Sequence, residues 1–132
     1  MTLELQTVIA TTLILFLLLM FQGGLVPVNQ GLKWGLGSRD ETRKSTALQA
    51  RTGRTIANHI EGMLLFVPLA MVAELMQLAT SLTAIGAGLY LSGRIAFAAL
   101  YIIGVPYLRS AAWGISLLGL MVFAVPVVAA TV

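Results

Sequence analysis

Residues 7–28 read TVIATTLILFLLLMFQGGLVPV and hold no charged side chain. A helix needs about 20 mostly apolar residues to cross the hydrocarbon core of a bilayer. Lipid offers no hydrogen bonds, so the backbone of such a segment must satisfy itself internally, as a helix does. Glu4 is the only charged side chain ahead of the segment. A basic start and a small-x-small cleavage site are both missing, so the segment is expected to be a retained helix and not a cleaved signal peptide.

The rest of the chain has the same character. Of 132 residues, 58% are apolar and 10% charged, against about a quarter charged in a soluble domain. A mean hydropathy of +0.94 makes lipid the solvent for most of the surface. The length suits a single domain over residues 1–132. The net charge of +3 comes from basic residues beside apolar spans. That pattern points to a membrane surface and not to nucleic acid. There is no cysteine and one histidine, so no disulfide and no histidine or thiolate metal site is expected.

The spans are predicted at about 5–28, 51–77, 82–105 and 110–130, and the short later links make them antiparallel neighbours. The expected fold is an all-α, integral membrane, four-helix up-down bundle. Residues 29–50 form a polar connection in which Gly31, Gly35 and Gly37 break periodicity. It is expected to be a solvated loop over the mouth of the bundle, with a partly ordered lid as the alternative. Lys33, Arg39, Arg43 and Lys44 lie in this connection, Arg51 and Arg54 follow it, and Arg109 lies in the third. The second connection and the C-terminal end hold no Lys or Arg. The positive-inside rule therefore places connections one and three in the cytoplasm and both termini outside. Ala84, Gly88, Ser92 and Ala96 recur every fourth residue on the third span, a stripe on which helices are expected to meet.

Polar residues break into the inner half of the spans. Arg51, Arg54, Asn58 and Glu61 fall within roughly 80° of arc on one face of the second span. Arg94 and Tyr101, seven residues apart, share a face of the third, and Arg109 with Ser110 opens the fourth. Antiparallel packing brings all of them to one layer. Charges at this depth cost about 2.5–3.5 kcal/mol each on insertion scales, and they mark binding sites. One alternative is an internal ion-pair network in which Glu61 neutralises Arg54 or Arg94 and Asn58 completes the set. The charge count argues against it: Arg51, Arg54, Arg94 and Arg109 oppose the single acid Glu61. A purely structural network should balance. The surplus predicts an anionic ligand, and the guanidinium fork suits carboxylates. His59 points about 120° from the centre of this face and is expected to meet a neighbouring helix. Trp34, Tyr107 and Trp113 are read as interfacial anchors, Tyr90 as packing, and Glu74 as reaching for headgroups.

The stretch Arg51-Thr-Gly-Arg54-Thr-Ile-Ala-Asn58-His-Ile-Glu61, followed by Phe66, resembles the second-helix signature of the MAPEG family, membrane-associated proteins in eicosanoid and glutathione metabolism. Arg94 with Tyr101, and Arg109 with Ser110, resemble pairs found on that family's third and fourth helices. The likeness covers residues 20–118. It implies a homotrimer with glutathione bound between subunits, in clefts open to the cytoplasm. By position, Arg51, Arg54, Asn58, Glu61, Arg94 and Tyr101 would hold glutathione, and Arg109 or Ser110 would face its sulfur. The implied chemistry is thiolate conjugation to lipophilic electrophiles, or reduction of lipid hydroperoxides, in a bacterial inner membrane. Phe97 departs from the pattern, because family members often carry a polar aromatic there. The spacing from Tyr101 to Arg109 also differs by about one residue from family members. Two other functions are weighed: a small proton-coupled transporter using Glu61, and a non-catalytic bundle binding anionic lipid.

Overall fold

The structure, a computed structural model, describes residues 1–131. The elements are α1 (Leu3–Gln30), α2 (Leu32–Leu36), α3 (Ala47–Leu75), α4 (Ser81–Ile103) and α5 (Leu108–Ala129), with no strand among the described residues. The four long helices are each apolar and long enough to cross a membrane. Leu13, Phe16, Leu17 and Met20 on α1 are all more than half exposed in the single chain. Such a surface belongs in lipid or against another subunit, not in water. The chain is a multi-pass integral membrane protein.

The helix ends differ from the sequence expectation in ways the local chemistry explains. α3 begins at Ala47, a turn earlier than position 51. Thr46 and Gln49 form a capping box: the Gln49 amide donates to Thr46 Oγ1 at 3.2 Å, and the Thr46 amide donates to Gln49 Oε1 at 2.9 Å. This satisfies N–H groups that a helix start otherwise leaves without partners. α4 ends at Ile103, before position 105, because Gly104 takes the left-handed conformation (φ 85°) and returns its N–H to the carbonyls of Leu100 and Tyr101. A glycine there is also a matter of space, since a Cβ would sit 3.2 Å from Nη1 of Arg51.

The first connection is not simply a solvated loop. It contains α2 and is tied to the bundle. Gln30 and Gln49, both buried, exchange side-chain amide hydrogen bonds at 2.8 and 2.7 Å, joining the end of α1 to the start of α3. Arg43 donates to the Gln30 carbonyl, and Trp34 Nε1 donates to the Glu41 carbonyl at 2.9 Å. The guanidinium groups of Arg39 and Arg43 both lie near the Trp34 ring, at 5.6 and 5.7 Å from its centre.

α4 and α5 pack backbone to backbone. A Cβ on Gly86 would lie 2.5 Å from the Phe123 nitrogen, one on Gly93 2.5 Å from the Ser116 nitrogen, and one on Gly119 against the Tyr90 nitrogen. The close-contact line therefore runs through Gly86 and Gly93. It does not follow the expected stripe of Ala84, Gly88, Ser92 and Ala96: Gly88 has no atom within 4 Å of its Cβ position. A spacing of seven keeps one face of a helix as well as a spacing of four does, so small-residue periodicity alone did not select the stripe. Phe66 of α3 fills the centre, stacked on Tyr90 at 4.3 Å and tilted against Phe123 at 4.9 Å. His59 is buried and meets α1, where Nε2 donates to the Thr11 carbonyl at 2.9 Å.

Candidate functional site

The polar residues of α3, α4 and α5 gather toward the same end of the bundle but divide into two adjoining groups. The inner group centres on Arg94, which is 3% exposed. Its Nη1 donates to Asn58 Oδ1 at 3.0 Å and its Nη2 to the Asn58 backbone carbonyl. Asn58 in turn donates from Nδ2 toward Glu61 Oε2 at 3.5 Å. Gly62 lies directly against the guanidinium, where a Cβ would be 2.9 Å from Cζ of Arg94 and 3.1 Å from the Tyr90 hydroxyl. Helical spacing put Asn58 and Glu61 on one face, and the small residue beside them lets α4 bring Arg94 up to it.

A cleft of about 130 Å³ opens from this group, lined by Asn58, Glu61, Gly62, Tyr90, Arg94, Trp113 and Ser116 with the apolar Leu65, Leu117 and Leu120. Two buried polar atoms here, Arg94 Nε and the Tyr90 hydroxyl, have no hydrogen-bond partner within the chain. Buried polar atoms are nearly always paired, so two orphans at one cleft suit a polar ligand.

The outer group is a more open groove of about 430 Å³ formed by Arg51, Arg54, Tyr101 and Arg109 with the Gly104–Pro106 turn. Arg54 Nε donates to the Tyr101 hydroxyl at 2.9 Å. The Arg109 guanidinium stacks on the Tyr101 ring, 4.2 Å from its centre. Arg51 Nε donates to the Ile102 carbonyl at 3.0 Å, which fixes the end of α4. Phe97 packs edge-on to Tyr101 at 5.3 Å, and Arg94 lies 5.6 Å from its ring centre. The apolar ring thus braces the two polar groups. Arg54 and Asn58, one helical turn apart, separate the groove from the cleft by only about 6 Å of rise along α3.

No arginine of either group makes an ion pair. The one salt bridge among the described residues joins Arg43 to Glu41 in the first connection. The network in which Glu61 neutralises Arg54 or Arg94 is therefore not formed; a neutral amide takes the place of the acid beside Arg94. Ser110 is exposed and lines neither the cleft nor the groove. Tyr90, Gly62 and Ser116 were not anticipated as site residues, and Trp113 faces the cleft besides lying near the helix end. Ser116 carried one usable signal, a hydroxyl one turn from Trp113 in the part of the fourth span that is apolar beyond Ser110.

Nothing matches the chain among curated proteins or among solved structures. Residues 7–129, nearly all of it, match the MAPEG family. With the four apolar helices and their arginine-lined polar face, this match makes the chain a member of the MAPEG family, membrane proteins of glutathione and eicosanoid metabolism.

Proposed function

We propose that the chain binds glutathione across the groove and the cleft and uses arginine to hold its thiol as the thiolate. The observation that carries this reading is four guanidinium groups in an adjoining groove and cleft, none of them in an ion pair, with the single acid Glu61 beside them. The residues fit the tripeptide. Arg51 and Arg54 line an open groove and would take its carboxylates, which guanidinium forks bind in bidentate fashion. Glu61, exposed and without a salt bridge, suits the ammonium. Arg94 Nε and the Tyr90 hydroxyl remain available inside.

Glutathione, when bound, supplies a thiol for conjugation to a lipophilic electrophile or for reduction of a lipid hydroperoxide. The chain's part is electrostatic. A thiol near pKa 8.5 is mostly protonated at neutral pH, and a neighbouring cation lowers that value. Arg109, half-buried and held over Tyr101, is the cation we assign to the sulfur in preference to Ser110. The basic connection would lie in the cytoplasm of a bacterial inner membrane, with both termini outside, and the working unit would be a homotrimer. A site beside apolar helix faces lets a lipid-dissolved substrate enter sideways.

The test is thermal unfolding of the purified protein in detergent with and without glutathione. Glutathione should raise the unfolding temperature and Arg54→Ala should abolish the rise. Millimolar glutathione that leaves the wild-type transition unmoved would refute the proposal.

A further inference from the structure

The opposite end of the bundle carries a second polar cavity. A cleft of about 220 Å³ lies between the start of α1 and the end of α3, lined by Thr2, Glu4, Ala73, Glu74, Gln77, Leu78 and Ala79. Glu4 is only 4% exposed, and its Oε1 has no hydrogen-bond partner. Glu74, across the cleft, accepts one hydrogen bond, from the Thr2 hydroxyl at 3.3 Å. Two carboxylates thus face one small cavity with no salt bridge to either. No Lys, Arg or His lies in residues 1–32 or 60–93, the parts of the chain that build this end.

Burying an ionised carboxylate without a counter-charge is among the most costly things a fold can do. Glu4 lies in the first turn of α1, where the helix dipole partly offsets its charge. Glu74 lies in the last turn of α3, where the dipole opposes it. The main-chain carbonyls of Val72, Ala73 and Glu74 at this helix end are already taken by the N–H groups of Met76, Leu78 and Gln77, so the side chains carry the unmet demand. What gathers here is a set of oxygen atoms: two carboxylates, the Thr2 hydroxyl and the Gln77 side-chain amide. That donor set is the one hard divalent cations take, with water completing the shell.

We propose that this cleft binds a divalent cation of the calcium or magnesium type, with Glu4 and Glu74 as its charged ligands, clamping α1 to α3 at the end remote from the arginine groove. The proposal is independent of glutathione binding. With only two carboxylates, the expected affinity is on the order of 0.1–1 mM.

The experiment uses the full chain in detergent at neutral pH, stripped with a chelator. Calcium chloride, magnesium chloride, and sodium chloride at matched ionic strength are then titrated while thermal unfolding is followed. Equilibrium dialysis with radioactive calcium measures binding directly. A saturable rise in unfolding temperature is expected with at least one divalent salt, and none with sodium chloride. Glu4→Gln and Glu74→Gln should each weaken calcium binding by more than about tenfold. Glu74→Gln changes an exposed side chain, so it keeps the test open if Glu4→Gln folds poorly. Glu4→Gln should retain the glutathione response, so the cation site and the glutathione reading fail separately. The proposal is overturned if no divalent salt acts beyond ionic strength. It is also overturned if both variants bind calcium like the wild type.

Discussion

Arg94 reaches from α4 to α3 and donates to both oxygens of one residue, the side-chain and main-chain carbonyls of Asn58. An arginine held by a neutral amide keeps its full positive charge for a third party. Glu61 lines the same cleft but is met by the Asn58 side-chain amide and makes no ion pair with Arg94. The pairing leaves both Arg94 and Glu61 free to meet a ligand that bears both signs.

Replacing Arg94 tests that relationship. Arg94→Ala leaves the half-buried Asn58 Oδ1 without its donor, and a loss of about 2–4 kcal/mol is expected from two charge-assisted hydrogen bonds. Arg94→Lys keeps the charge but lacks the fork, so it should recover part of the stability and little of the glutathione response. Denaturation in mixed micelles, with and without glutathione, reads both. Full recovery of both by lysine would show that charge alone matters.

Gly62 is predicted to be intolerant of a single methyl. A Cβ there would meet Cζ of Arg94 at 2.9 Å. Overpacking of this kind costs about 1–3 kcal/mol. Gly53, on the same helix, meets only the Gln22 amide nitrogen at 3.9 Å. Gly53→Ala should therefore stabilise by about 0.5–1 kcal/mol through helix propensity. Opposite signs from the same substitution on one helix are the expected result, measured as shifts in unfolding midpoint.

Tyr101 has two separable contacts. Its hydroxyl accepts from Arg54, and its ring lies under Arg109. Tyr101→Phe should raise KM for glutathione several-fold by releasing Arg54, with kcat little changed. Tyr101→Leu also removes the ring, a cation–π contact of about 0.5–1 kcal/mol, and should lower kcat as Arg109 loses its position. Steady-state kinetics with a model electrophile separates the two. Equal kcat in both variants would mean that the ring does not position Arg109.

The Gln30 and Gln49 amides bond to each other at 2.8 and 2.7 Å, and each has one further partner: Gln30 Nε2 donates to the Lys44 carbonyl at 3.3 Å and Gln49 Oε1 accepts from the Thr46 amide at 2.9 Å. Either glutamine replaced by alanine deprives the other, buried amide of its short side-chain bonds, at a cost of about 1–3 kcal/mol. The double replacement removes both needs and should cost less than the sum. Because this pair anchors the first connection, the single variants should also be cut faster by trypsin at Arg39, Arg43 and Lys44. Strict additivity, or unchanged cleavage, would speak against the anchor.

Much of the site is legible in the residue spacing. Arg54, Asn58 and Glu61 lie on one face because spacings of four and three are helical spacings, and Tyr101 follows Arg94 on one face for the same reason. The start of α3 is legible too, in Thr46-Ala-Leu-Gln49, although the hydropathy profile begins the span a turn later. Partner choice is harder. Arg94 could reach an acid or an amide on α3, and which it meets depends on the rotation of α4 about its axis. That rotation is set on the α5 side of α4, where Gly86 lies against Phe123, Gly93 against Ser116 and Gly119 against Tyr90.

The sequence by itself determined that this chain lives in lipid, crosses it on four helices and carries a surplus of arginine at one end. Those are properties of solvent transfer and helical period, and they are local along the chain. Only the tertiary structure decided that the arginines divide into a cleft and a groove, that Tyr90 and Ser116 join the cleft, and that Glu4 is buried beside the Glu74 cavity. Each of these depends on how far one helix is rotated and slid against another, and close packing of residues distant in sequence decides that.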